Sequence, residues 1–305
     1  MLVLALDTAT PASTAALVEV TADGLRGVAE RRTVDPRAHG EKLAPEIEAT
    51  LAEAGVGPRD LGAIVAGLGP GPYTGLRVGL ATAASMGQAL GLPTYGVCSL
   101  DGLGRAAGPG RVLVATDARR REVYFATYLD GVRVLGPDVT RPADVAAAIL
   151  RAGTVPRSRA RNSAATDDAA LAESETLEAV TALAGADAAR VASALARAAA
   201  ADLIGQATAR DGGVDLTGRE PAHPTSRATG DVVGLVDRAV GEGALKYGEI
   251  FGVPVEEHLL YPPGAALVAL AADRIRSAAP SKALTPLYLR RPDAVEPAGR
   301  KPVRT

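Results

Sequence analysis

Val3-Leu-Ala-Leu-Asp7 is a short apolar run closed by a carboxylate, and Leu113-Val-Ala-Thr-Asp117 repeats it further along the 305-residue chain. Neither run alternates with polar residues, so each reads as a strand covered on both faces. The first is followed by strand candidates at Ala15–Val20 and Leu25–Thr33, the second by one at Glu122–Leu129. Strands first and helices alternating with strands afterwards, twice over, argue for an internal duplication and two α/β lobes.

Working outward from the first run, Glu41–Ala54 has Leu43, Ile47 and Leu51 at helical spacing and Gly55 as a stop. Pro45 lies inside it, so this helix begins near Ala44 or bends there. Leu61–Leu68 is another buried strand. It enters the glycine-rich turn Gly67-Leu-Gly-Pro-Gly-Pro-Tyr-Thr-Gly75, then a helix over Thr74–Leu90. Thr94–Val97 and a short helix at Ser99–Ala107 close the first lobe. In the second, a helix is expected at Pro142–Ala152.

Between about 154 and 238 the composition changes to Ala, Ser, Thr, Asp and Arg with no aromatic residue. Loose helical spacing at its centre and loop-like flanks mark this stretch as an insertion, partly helical or disordered. Regular structure resumes at Val240-Gly-Glu-Gly-Ala244, followed by a helix over Gly264–Ala279 and an extended Leu287–Arg290. The expected domains are residues 1–107, then 108–153 with 239–290, the insertion at 154–238 and a loose tail at 291–305.

Formal net charge is −2 with a sequence pI near 6.0, which does not give the basic face of a protein that grips nucleic acid alone. The clusters Arg119–Arg121, Arg157/Arg159/Arg161, Arg290–Arg291 and Arg300/Lys301/Arg304 read as solvated surface. Aromatics are 3% and tryptophan is absent, so Ala, Val and Leu must fill the cores. Cys98 is the only cysteine, which excludes a disulfide framework and a cysteine zinc site. The apolar opening stops at Asp7 without a basic flank, unlike a signal peptide. Val78–Leu92 falls short of the ~20 residues of a membrane span. A cytoplasmic protein without membrane contact is expected.

Several residues could carry chemistry. The glycine turn stands where phosphate loops stand, but Pro70 and Pro72 lack N–H donors and no lysine follows. A tight turn seating the helix against the sheet is the favoured reading. Asp7, Thr8 and Thr10 at the end of the first strand, Gly69 and Gly71 in the turn, and Asp117 are candidates for vestigial nucleotide contacts. For Asp7 and Asp117 a turn or capping role needs only the same oxygens. His39, His223 and His258 lack metal-ligand spacing and pair with no nucleophile, so neither a metal site nor a catalytic residue is assigned. Gly75, Gly79, Ala83 and Gly87 recur every four residues, leaving a stripe nearly free of side chains. Glycine costs a helix about 1 kcal/mol relative to alanine, so the repetition needs a packing reason. Its partner is either the helix at 41–54 or another subunit.

The segments LALDTAT, HGEKLAPEIEATL, GLGPGPYTGLRVGLATA, ATDARRREVYFA and VGEGALKY together resemble the TsaB (YeaZ) family. The likeness covers about 1–153 and 239–290, and the 154–238 stretch departs from it. It implies an actin/Hsp70/sugar-kinase (ASKHA) fold of two RNase-H-like lobes. The function it implies is that of a scaffold subunit in tRNA threonylcarbamoyladenosine modification at the adenosine beside the anticodon. TsaD would be its direct partner, TsaE an accessory, tRNA an indirect contact and a homodimer the isolated form. ATP and Mg would serve the complex, with none held tightly by this chain. Ala9 replaces a phosphate-loop glycine, and the His-x-x-x-His pair of TsaD-like subunits is missing from the sequence. The partner interface would include, or lie directly over, Leu43, Ile47, Leu51, Gly75, Leu76, Gly79, Ala83 and Gly87. The alternatives are an independent ATP-dependent phosphotransferase or a metallopeptidase-like enzyme on the same fold.

Overall fold

The computed structural model describes residues 1–153 and 236–289. The expected insertion and the tail from 290 onward lie outside the described residues, as do His223 and the clusters Arg157/Arg159/Arg161, Arg290–Arg291 and Arg300/Lys301/Arg304.

The chain opens with β1 (Leu2–Asp7), β2 (Ala12–Val20), β3 (Leu25–Val34), α1 (His39–Glu53), β4 (Leu61–Gly67), α2 (Tyr73–Leu90), β5 (Thr94–Val97) and α3 (Ser99–Ala107). A second series follows: β6 (Arg111–Asp117), β7 (Val123–Leu129), β8 (Val132–Thr140), α4 (Pro142–Gly153), β9 (Arg238–Val240), α5 (Glu242–Lys246), α6 (Gly248–Phe251) and α7 (Gly264–Arg276). The sheets are ordered β3-β2-β1-β4-β5 and β8-β7-β6-β9. In each, a central strand pairs antiparallel with the next strand and parallel with a later one. The runs Val3–Asp7 and Leu113–Asp117 lie in these central strands, β1 and β6, so the repeat in the sequence is matched by a repeat of sheet topology. Two RNase-H-like sheets in one chain make the two-lobed ASKHA architecture.

The layers differ from the expected segment boundaries. One face of the first sheet packs α1 and α2 through Leu43, Ile47, Leu51, Leu76 and Leu80. The other face, with Val3, Ala5, Ala16 and Val18, packs Leu267, Val268, Ala271 and Ile275 of α7. The helix assigned by sequence order to the second lobe therefore completes the first. Gly264 makes this approach close, because a Cβ there would stand 2.1 Å from the Ala16 Cβ. Conversely α3 covers the second sheet, with Leu100 and Leu103 among Val112, Val114, Tyr124 and Tyr128. Each lobe lends a helix to the other. The remaining face of the second sheet packs Val145 and Ile149 of α4 with Ala244 and Phe251.

The first lobe's cores are aliphatic apart from Tyr95. In the second, Phe125, Tyr128 and Phe251 rank among the largest fully buried side chains, so the few aromatics are concentrated there. Helix α1 begins at His39 rather than near Ala44 and carries Pro45 inside it, because the Ala38 carbonyl already accepts from the Glu41 and Lys42 N–H groups. Helix α2 stops at Gly91, whose φ of 68° suits a left-handed C-cap.

Candidate functional site

Asp7 ends β1 with its carboxylate turned inward. It accepts from the Ser99 hydroxyl at 2.5 Å and from the Ala9 N–H at 3.0 Å. A Cβ on Gly67 would lie 1.8 Å from Asp7 Oδ2, so that glycine makes room for the carboxylate. Burial pushes the Asp7 carboxyl up to about 6, against the opposing pull of the Ser99 and Ala9 bonds and the Arg32 charge. Ser99 also accepts from the Gly69 N–H at 3.1 Å, and its own N–H donates to the Gly69 carbonyl at 2.8 Å. Asp7 and Gly69 are thus consumed in one buried knot that ties β1, the glycine turn and α3 together. Sequence reasoning missed Ser99; a hydroxyl at the first position of a helix just after a strand was the available signal.

Thr8 locks the next residue. Its hydroxyl donates to the Gly75 carbonyl at 2.8 Å and accepts from the Gly79 N–H at 3.0 Å. It sits between two groups four residues apart that would bond one another in an uninterrupted helix. Glycine at 79 is the condition for this, since a Cβ there would stand 2.5 Å from Thr8 Oγ1. Gly71 packs on the backbone of Ala9, with 2.2 Å left between a Cβ and the Ala9 carbonyl oxygen. The Gly75 position is met by His39, and Gly87 by Thr94.

The small-residue stripe is therefore covered by its own lobe. Gly75, Leu76, Gly79, Ala83 and Gly87 are buried in α2, as are Leu43, Ile47 and Leu51 in α1. Of the two partners left open for the stripe, the same lobe supplies those seen here: Thr8, His39 and Thr94 fill the room left by the missing side chains. The outward face of α2 instead carries Ala81, Ala84, Ser85 and Gln88, all exposed.

At the end of β6, Asp117 pairs with Lys246 at 3.0 Å, and its N–H donates to Glu242 Oε1 at 3.0 Å. Burial pushes the Glu242 carboxyl up to about 7. Glu242 Oε2 and Thr116 Oγ1 are buried without a partner among the described residues. The turn from β6 into β7 holds Arg119, Arg120 and Arg121 at φ of 60°, 51° and 63°. Three successive left-handed residues cost roughly 1–2 kcal/mol each. The turn is closed by the Ala118 N–H on the Glu122 carbonyl and the Glu122 N–H on the Arg119 carbonyl, both at 2.9 Å.

A cleft of about 510 Å³ opens between the lobes. The first lobe supplies Thr10, His39, Gly71 and Tyr73, the second Asp117, Arg119 and Tyr124, and the C-terminal strap Tyr288. Of the residues suggested for nucleotide, the cleft gathers Thr10, Gly71 and Asp117. The carboxylate of Asp7, the hydroxyl of Thr8 and the amide of Gly69 are engaged elsewhere. His39 bonds Ser13 at 2.8 Å, and burial holds its pKa below the ordinary value, so it faces the cleft neutral. Tyr288 stacks on Tyr73 with ring centroids 5.2 Å apart, and Arg77 lies over Tyr73 at 4.7 Å. Among the described residues, no group of three His, Cys, Asp or Glu side chains could hold a metal ion, and no helix is long and apolar enough to cross a membrane.

The family model described as tRNA N6-adenosine threonylcarbamoyltransferase (TsaD) matches residues 30–210. A Mycobacterium tuberculosis protein described as uncharacterized is 57% identical over 143 residues, which is 47% of this chain and 66% of that protein. The tRNA threonylcarbamoyladenosine biosynthesis protein TsaB of Escherichia coli K12 is 38% identical over 132 residues, covering 42% and 55%. The chain thus spans less than two thirds of the length of these curated relatives. In structure it is similar to YeaZ from Pseudomonas aeruginosa, with a TM-score of 0.55 and 22% identity over 94% of this chain and 99% of that one. That likeness concerns the fold alone.

Proposed function

The chain belongs to the tRNA N6-adenosine threonylcarbamoyltransferase (TsaD) family and, within it, to the TsaB (YeaZ) group, and we propose that it serves threonylcarbamoyladenosine formation on tRNA as a non-catalytic scaffold that pairs with and activates a TsaD-type subunit. The observation that carries this reading is the way the first lobe fills its own phosphate-binding corner. The Asp7 carboxylate and Gly69 amide are spent on Ser99, the Thr8 hydroxyl is spent on α2, and Gly71 lies against the Ala9 backbone. A lobe in this state offers little to a nucleotide and its Mg ion. In this reading ATP and Mg are handled by the complex, TsaE joins it, tRNA is held chiefly by the partner, and the isolated chain pairs with itself.

The docking face is the outer surface of α1 and α2, directly over the buried residues of the two helices. Ala81, Ala84 and Ser85 are short enough to let another helix approach, and Glu41 and Glu48 on α1 give the rim its charge. Ala84→Arg is expected to lower co-purification with the TsaD-type subunit at least about tenfold, as a desolvated unpaired charge would. Its melting temperature should stay within about 2 °C of wild type, because the site is exposed. A variant that co-purifies at wild-type yield overturns the docking face. Omitting the chain from a reconstituted modification assay should abolish product. Tight Mg-ATP binding by the isolated chain would favour a phosphotransferase instead.

A further inference from the structure

A second cavity, of about 330 Å³, is lined by none of the residues that line the cleft, and nothing in the proposed scaffold role uses it. Its volume is at the lower end of the roughly 300–1,000 Å³ of small-molecule sites. Leu68, Leu270 and Leu287 give it apolar walls, while Asp101, Arg133 and Arg274 bring charge to it. These residues come from both lobes: Arg133 from β8, Asp101 from α3, Arg274 from α7. We propose that this cavity is a binding site for a small organic monocarboxylate with a compact apolar body.

The charge count favours a single negative charge. Arg133 pairs with Asp101 at 3.1 Å, and the Tyr128 hydroxyl donates to the same Asp101 oxygen at 2.9 Å. That pair is internally balanced, which leaves Arg274 as the net cation of the cavity among the described residues. Arg274 is held in place: Nη2 donates to the Gly96 carbonyl at 3.1 Å, and the guanidinium lies 5.7 Å from the centre of the Tyr95 ring. One bond uses one of five donors, and the planar fork matches the two oxygens of a carboxylate. The leucines select for carbon. An inorganic anion would leave them wet, and a dianion would exceed the one net positive charge. A bound carboxylate would bridge α7, which completes the first lobe, to β8 of the second, and so would resist relative movement of the lobes.

Isothermal titration of the full chain with isovalerate tests this, with inorganic phosphate and isopentylamine as the comparison probes. Isovalerate should bind with a Kd of about 1 mM or tighter. Arg274→Gln should weaken it by about tenfold or more, the usual cost of a lost charge-assisted bond. Arg133→Gln is the second variant: it unbalances Asp101 and should weaken isovalerate as well, while Arg111→Gln, whose guanidinium pairs with Asp237 outside the lining of the cavity, should leave binding unchanged. Melting curves accompany each variant, and an unfolded Arg274 variant leaves Arg133→Gln and the probe series to decide. The proposal is overturned if isovalerate does not bind, if phosphate or the amine binds as tightly, or if a folded Arg274→Gln chain binds isovalerate as wild type does.

Discussion

Gly79→Ala is expected to destabilise the isolated chain by about 2 kcal/mol, and adding Thr8→Ala is expected to recover most of that loss. The single substitution drives a methyl to within 2.5 Å of Thr8 Oγ1. Overpacking of this kind costs about 1–3 kcal/mol, and alanine's better helix propensity returns at most about 1. The Thr8 oxygen cannot step aside cheaply, because it is bonded to the Gly75 carbonyl and the Gly79 N–H. In melting temperature the single variant should fall by roughly 4–8 °C for a chain of this size. Thr8→Ala alone removes two bonds, yet it lets the Gly79 N–H reach the Gly75 carbonyl directly, so its own cost should be nearer 1 kcal/mol. The double variant should therefore be more stable than additivity allows, with a coupling of about 1–2 kcal/mol. Strict additivity in urea or thermal melts would mean that the stripe does not owe its glycines to Thr8. The result also bears on assembly, since a bulky residue at 79 would damage the monomer before any partner could be lost. Ala84, on the outer face, separates the two effects.

The same helix shows what the sequence could and could not reveal. The recurrence of Gly75, Gly79, Ala83 and Gly87 was legible as a close-packing surface because absent side chains leave a mark on periodicity. What occupies that surface was not, because Thr8 lies 71 residues from Gly79. The two central strands were legible because continuous apolar runs ending in Asp are local. Strand β8 was missed: Val132–Thr140 contains Gly136-Pro137 and is an exposed edge, so it lacks the buried alternation that marks a strand. Strand β9 is three residues long and abuts the expected insertion, which hid its start. Helix α7 was placed well by its apolar spacing, yet which sheet it covers is a tertiary fact that sequence order leaves open. For the site, Asp7 and Asp117 were found as residues. Their divergence depends on Ser99 and Glu242, partners that only the fold brings near.

That divergence makes Asp7 the residue whose charge should matter most to stability. The folded chain holds its carboxyl near 6, and in the unfolded chain it returns to about 3.8. The fold therefore keeps the proton more tightly, and the contribution of Asp7 is most favourable at low pH. As pH rises from about 4 to about 6 the unfolded state gains by ionising first, and stability falls by up to about 3 kcal/mol before levelling off. Glu242, raised from 4.5 to about 7 by burial, acts in the same direction and extends the decline to near neutrality. Asp7→Asn keeps the shape and removes the titration. Its amide can still accept from the Ala9 N–H and can donate to the Ser99 oxygen, which already accepts from Gly69. The variant should be more stable than wild type at pH 8 by about 1–3 kcal/mol, and its stability should change less between pH 4 and 6. Chemical denaturation at pH 4.5, 6 and 8 decides the matter. If Asp7 served instead to organise a metal and a phosphate, its ionised form would be the useful one. Mg-ATP would then stabilise the wild-type chain and not the variant. A wild-type chain whose stability is indifferent to Mg-ATP, beside an Asp7→Asn chain that gains stability at pH 8, is the pattern expected of a carboxylate kept to hold the lobe together.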